Sequence, residues 1–505
     1  MSASREKNKR KELAQSAATE ATAKPAKAGM SKGLKTTLGI VIAVVVLAAV
    51  VFFYMLTSGF FTTHTTAAVI GEHKLTPAMV NYYYRDAYNY FSQQYSQVLS
   101  YLVDTSLPLD EQIYDEEAGT TWADYFTETG LENAAQMYAL YDDAAANGFT
   151  LSETQLSNID SQISTMDMYA SYYGYSNADA FISASYGTGC NAKNYREYLL
   201  VNTTAEAYAT MVNESFNYSD DELSTAYDAD PNAYDGITYR SFLFGHSQYT
   251  DEDGALLETE EAAKLAAADA EKMAAETKGD EDAFKQACID NASESMRESY
   301  ETSDVSLRTD ISYDSTPEAI ADWLFDSARQ EGDTYFASAD TGCYVVYYIS
   351  RDTHDYGMPN VRHILFGVSD FSDEDAAATA KASAEGALAD FEANDATEDA
   401  FAALGDKLYE DGAASEAALY EDIYPGQMVS EFEDWCYDAD REVGDTGIVE
   451  SSYGYHVMYF CGRGSNLRSY LVESALRGED YSEWESGVLE GATYEMTSAI
   501  RYTSR

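Results

Sequence analysis

Hydrophobic and polar positions change period several times along these 505 residues. The first pattern is an unbroken apolar run from Leu38 to Leu56, with no charge between Lys35 and His64. At 1.5 Å rise per residue its nineteen positions make a helix of about 28 Å, close to the hydrocarbon thickness of a bilayer. A cleaved signal peptide has an apolar core of only about 7–15 residues. The first cysteine is Cys190, too distant to be a lipidated start. The run therefore predicts a single transmembrane anchor at residues 37–58, with a buried core helix as the alternative. Beyond it, Ala67 to Thr76 reads as a short strand, a turn at Gly71 and a helix start, with Pro77 where a missing N–H costs little. Helical periodicity then continues to about residue 215, dense in tyrosine at Tyr82, Tyr83, Tyr84, Tyr88, Tyr90 and Tyr95. Ser219 to Glu222 has the form of a capping box, and Pro231 marks a boundary. Two later stretches, Val361 to Gly367 and Tyr453 to Met458, read as short strands with apolar residues on both sides of a histidine. Asn466 to Ile500 reads as one or two helices.

The second half of the chain repeats. Tyr239 to Gly245 matches Val361 to Gly367 at four of seven positions, 122 residues apart. Glu281-Asp282-Ala283-Phe284 matches Glu398-Asp399-Ala400-Phe401 at a spacing of 117. Asp322-Trp323, Asp326, Arg329, Gly332-Asp333-Thr334 and Gly342 recur 112 residues later as Asp434-Trp435, Asp438, Arg441, Gly444-Asp445-Thr446 and Gly454. Ordered blocks with a drifting offset mean two copies of one module that differ by loop insertions. Units of about a hundred residues are tandem domains rather than a solenoid.

Charge adds topology. The formal net charge is −56, yet residues 1–36 hold nine Lys/Arg against three Glu, leaving 22 basic and 84 acidic residues in the rest. So acidic a body repels nucleic acid and anionic lipid. The basic tail, read as a topology signal, places residues 1–36 in the cytoplasm and the body outside. Five cysteines without a C-x-x-C or Cys/His pattern make neither a disulfide framework nor a zinc site, and no cofactor is expected.

The two histidine strands, together with Gly426-Gln427-Met428 and Gly454-Tyr455-His456 in their order, resemble the parvulin-type peptidyl-prolyl isomerases over roughly Pro359 to Gly462. The chain as a whole resembles membrane-anchored foldases of the PrsA/SurA kind. The resemblance implies an α+β architecture: a cytoplasmic tail (1–36), the transmembrane helix (37–58), a helical SurA/PrsA-like chaperone domain (65–217), a degenerate parvulin-like module (218–352), an isomerase domain (359–463) and a C-terminal helical segment (464–505). It further implies that the C-terminal segment returns to complete the helical domain. By motif position it implies His363 and His456 as the paired core histidines, Asp411 facing the substrate carbonyl, Ser451 in the histidine network, and Gln427, Met428 and Phe432 at the proline pocket. Each has a plainer reading: core histidines, helix packing for a Met and Phe four apart, a turn at Asp411-Gly412. In the first copy Ser241 and Tyr344 stand where the histidines would be, which implies an inert binding or spacer module. One departure touches the second copy: Ala417-Ala418 replaces the family's usual Gly-Gly.

Isomerisation of an X-Pro amide crosses a barrier of roughly 20 kcal/mol and requires no nucleophile, metal or nucleotide. It requires a dry pocket for the ring and polar groups that favour the twisted amide. The expected function is an extracytoplasmic, membrane-anchored isomerase and foldase acting on unfolded exported polypeptides that contain X-Pro bonds, and the resemblance implies that it faces a Gram-positive cell wall. A holdase that binds such chains without catalysis is the alternative, and a structural surface protein a third.

Overall fold

The computed structural model describes Lys11 and residues 32–57, 59–394 and 396–504. The chain is α+β, with many helices and small antiparallel sheets. It divides into two compact units, one ending at Glu214 and resuming at Glu483, the other running from Ser215 to Ser482.

Most of the basic tail expected at 1–36 lies outside the described residues. Helix α1 (Lys32–Thr57) covers the expected anchor and exposes apolar side chains from Ile40 to Tyr54. The side chains of 37–39 and 56–58 lie outside the described residues. Among the described residues, no helix is long and apolar enough to cross a membrane.

In the first unit, β1 (Ala68–Ile70) pairs with β2 (His73–Leu75) on one edge and with Glu495–Met496 on the other, so the end of the chain closes this sheet. Helix α2 (Pro77–Gln94) starts at Thr76, whose hydroxyl accepts from the Met79 N–H. It packs against α3 (Trp122–Ala146), while α4 (Glu153–Tyr173) and α5 (Ala192–Ser215) complete the bundle. Helical spacing divides the tyrosines of α2 between core and surface. Tyr82, Tyr83 and Tyr84 are buried, and the Tyr82 hydroxyl donates to Asn194 at 2.6 Å, whereas Tyr90, and Tyr95 just past the helix end, are exposed. The buried set therefore packs the bundle.

The second unit opens with the capped helix Asp220–Ala229, where Ser219 and Glu222 hydrogen-bond reciprocally. Two modules follow, with one plan. In the first, β3 (Gly236–Gly245) leads to α6 (Thr259–Glu276) and α7 (Glu281–Asn291), then to the edge strand β4 (Leu307–Ile311), the short helix α8 (Glu318–Leu324) and the hairpin β5 (Thr334–Ala339) and β6 (Gly342–Asp352). The second repeats this as β7 (Gly357–Gly367), α9 (Glu374–Glu392), α10 (Glu398–Glu410), β8 (Glu416–Tyr420), α11 (Ser430–Tyr437), β9 (Thr446–Ser451) and β10 (Gly454–Asn466). Strand order is the same in both antiparallel sheets, β4-β3-β6-β5 and β8-β7-β10-β9.

The repeated residues have the same mechanical duties in both copies. Arg240 pairs with Glu281 and Arg362 with Glu398, each at 2.9 Å, tying the first strand to the second helix. Arg329 lies over the Trp323 ring at 4.6 Å and Arg441 over Trp435 at 4.1 Å. Phe284 and Phe401 are both fully buried. Gly342 and Gly454 each begin the last strand opposite another glycine, Gly245 and Gly367. The repeat thus encodes a scaffold.

A buried histidine closes the first module. The His354 N–H donates to Asp352, Nδ1 lies 2.8 Å from the Tyr234 carbonyl, and Nε2 lies 2.9 Å from Asp310 Oδ1. The Tyr234 carbonyl only accepts, so Nδ1 carries a proton. Burial pulls the His354 pKa down, but Asp310, then the Tyr234 carbonyl and Asp352, outweigh it and raise the pKa overall. Because the folded value lies above the unfolded one near 6.5, the stabilisation is full below that pH and fades as pH rises through the raised value. His354→Gln should cost about 1.5–3 kcal/mol at pH 6, as for a hydrogen bond to a charged group. The cost should be clearly smaller at pH 9, which urea unfolding at the two pH values measures.

Candidate active site

In a β-strand alternate residues share a face, so register decides which side chains meet. His363 lies opposite Met458 and His456 opposite Leu365 across the β7–β10 pair. The two histidines are therefore diagonal neighbours on one face of the sheet. Their Nδ1 atoms are 3.2 Å apart and their ring centroids 5.4 Å apart. Ser451, at the end of β9, brings Oγ to 2.8 Å from His456 Nε2 and also accepts the Tyr453 N–H at 3.1 Å. All three polar residues are buried, His363 at 3%, His456 at 5% and Ser451 at 5% exposure.

Helix α11 covers this face. Phe432 sets its ring edgewise against both histidines, with centroids at 5.5 Å from His363 and 5.4 Å from His456. It belongs to a core cluster with Val361, Val449, Met458 and Phe460, against which Met428 packs. Burial lowers the His363 pKa, with Glu416 pulling the other way. Burial, then the neighbouring His363, pushes His456 down to about 4. The pair is thus neutral at pH 7, in a dry, partly aromatic setting. It offers neutral hydrogen-bonding groups beside an apolar wall, which suits an amide losing its resonance.

The residues expected from sequence do not all converge. His363, His456, Ser451, Phe432 and Met428 occupy one cluster. Gln427 does not join it: its side chain is exposed and accepts the Tyr424 N–H at 3.1 Å, closing its own turn. Asp411 is the C-cap of α10, an exposed residue whose N–H bonds back to Lys407. Among the described residues, the carboxylate that approaches the pair is Glu416, with Oε1 3.6 Å from His363 Nε2. Glu416, Ala418 and Tyr420 share the face of β8 that looks toward His363, since Ala418 lies directly opposite it. Tyr420 stacks on His363 at 5.1 Å and donates its hydroxyl to Glu416 at 2.7 Å. Burial, then this bond, raises the Tyr420 pKa to about 12. The alternation Glu416, Ala418, Tyr420 is visible in the sequence, but only pairing with β7 shows which face it serves.

Ala417 and Ala418 sit in regular strand, and neither has a positive φ. The alanines therefore bring no backbone strain at this edge. Histidine pairing is confined to the second module: the equivalent face of the first holds Ser241 and Tyr344, opposite Val346 and Leu243. Among the described residues, the group able to hold a metal ion is Asp310, Asp352 and His354, in the first module, and its histidine is already bonded at both nitrogens.

Residues 363–461 match the rotamase family, described as a PPIC-type PPIase domain. The match covers the second module and includes His363, Ser451 and His456. No curated protein matches the chain closely enough to count as a relative. Among solved structures, PrsA from Bacillus subtilis is similar at 13% identity and a TM-score of 0.16, covering 48% of this chain and 79% of that one. The foldase protein PrsA from Streptococcus pneumoniae strain Canada MDR_19A is similar at 16% identity and a TM-score of 0.20, covering 47% and 78%. Likenesses of this size do not establish a shared overall arrangement.

Proposed function

We propose that this peptidyl-prolyl cis-trans isomerase, whose parvulin-type domain is the second module, is a membrane-anchored foldase that turns X-Pro bonds in unfolded exported polypeptides. The observation that carries the catalytic reading is the buried, neutral His363–His456 pair, tied to Ser451 and roofed by Phe432. In this reading Phe432 and Met428 hold the proline ring, and the histidine network faces the rotating amide. The anchor rests on the uncharged run Leu38 to Leu56, and the extracytoplasmic body on the basic residues before it. The helical unit and the first module, which lacks the histidines, serve to bind the client chain. A holdase without catalysis is the second reading, favoured by Ser241 and Tyr344 in the first module.

The test is isomerisation of a short X-Pro peptide by the full chain in detergent. The wild type should accelerate the reaction, and His363→Ala should lower kcat/KM about tenfold or more, since each decade is about 1.4 kcal/mol of transition-state stabilisation. Asp411→Ala, on an exposed helix end, should stay within about twofold. No acceleration by the wild type, with client aggregation still suppressed, would make the chain a holdase. A collapse in Asp411→Ala would restore the role expected from its motif position.

A further inference from the structure

Hydrogen-bond polarity along the histidine pair has two self-consistent settings. With both rings neutral, one of the two facing Nδ1 atoms carries a proton and the other accepts, at 3.2 Å. In the first setting His456 Nδ1–H donates to His363, His456 Nε2 accepts the Ser451 hydroxyl, and His363 bears its proton on Nε2. In the second, His363 Nδ1–H donates to His456, whose Nε2–H donates to Ser451, and His363 Nε2 is a bare lone pair. Ser451 alone does not choose, because a hydroxyl both donates and accepts and the Tyr453 N–H uses only one of its lone pairs.

The choice falls at the other end. His363 Nε2 is buried and has no hydrogen-bond partner. Facing it at 3.6 Å, just beyond hydrogen-bond reach, is the Glu416 carboxylate, aimed by the Tyr420 hydroxyl. A carboxylate repels a bare lone pair and attracts an N–H. Ala418, opposite His363, leaves the space between Glu416 and Tyr420 free of a larger side chain on β8.

We propose that Glu416 is a positioning residue that holds His363 in its Nε2–H form, with that N–H directed at the carboxylate on the edge strand, and so fixes the polarity of the buried pair. Polarity then runs one way, from Ser451 through His456 to His363 and out toward the edge strand. Glu416 acts through His363 and does not touch the substrate. The inference rests on the isomerase reading for its effect on turnover, but the proton's location is independent of activity.

The test is the nitrogen-15 chemical shifts and long-range couplings of the ring nitrogens in the full chain, labelled at histidine, at pH 7.5. Signals of the pair are assigned by their loss in His363→Gln and His456→Gln. In the wild type His363 should be protonated at Nε2 and His456 at Nδ1. Glu416→Gln, whose amide can donate as well as accept, should raise the minor tautomer population at least threefold and lower kcat more than it changes KM. Glu416→Asp should restore most of the wild-type pattern, and Tyr420→Phe should fall between. An Nδ1–H form of His363 in the wild type, or unchanged populations in a folded Glu416→Gln, would overturn the proposal. If the wild type fails to isomerise peptide, the isomerase reading fails, while the tautomer measurement still decides the role of Glu416.

Discussion

Replacing Phe432 by alanine should cost the second unit about 3–5 kcal/mol, the range for emptying a buried aromatic site. Phe432 is 2% exposed and packs in one cluster with Val361, Val449, Met458 and Phe460, so little around it can collapse into the void without moving the sheet. Its ring also roofs both histidines. Removing it admits water to a pair that burial keeps neutral, so the pKa depression of both rings should relax toward 6.5. Isomerase activity should fall further than stability alone explains. Urea unfolding and the peptide assay, with Phe432→Leu as the variant that fills most of the volume, measure both effects. A Phe432→Ala protein as stable as wild type would mean that the cluster repacks, and that the roof is not a fixed feature.

Gly454→Ala should be comparably damaging, for a reason of backbone rather than side chain. Gly454 has φ +136, and an added Cβ would lie 2.3 Å from the Phe366 carbonyl oxygen and 2.9 Å from the Gly367 Cα. Those atoms belong to the strand that carries His363, while Gly454 begins the one that carries His456. Relief requires the two strands to part at the end nearest the pair. The expected cost is about 3 kcal/mol or more, combining backbone strain with a lost close approach. Gly412→Ala is the control: φ there is +70 but nothing lies within 4 Å of an added Cβ, so only about 1–2 kcal/mol of local strain is expected. Equal losses in the two variants would show that φ alone sets the cost. Gly342, with an added Cβ 2.4 Å from the Phe244 carbonyl but no positive φ, should show the close-approach part of the effect in the first module.

These two sites show how unevenly the molecule was legible. Gly342 and Gly454 were visible as a repeat, yet nothing in the sequence says that each faces a carbonyl across the sheet. Motif position points to Asp411, but it does not show that α10 runs to Glu410 and leaves Asp411 as its exposed cap. Motif position points to Gln427 at the pocket, but a turn aims its side chain outward to the Tyr424 N–H. Glu416 and Tyr420 alternate in a strand, and alternation names two faces without saying which one meets a histidine.

What the sequence by itself determined follows from local physics and internal order. Apolar periods separate helices from strands, the drifting offsets reveal two copies of one module, and the paired strand histidines stand in the second copy, with Ser241 and Tyr344 at their places in the first. Capping at Ser219 is likewise local, since its partners lie within one turn. What only the tertiary structure decided is register and direction: that His363 and His456, 93 residues apart, are diagonal neighbours, that Phe432 closes over both, and that a carboxylate on the edge strand stands at the end of their hydrogen-bond line. The reason is that strand pairing is non-local. A shift of one residue would send each of these side chains to the opposite face, and no short stretch of sequence contains the partner that prevents it.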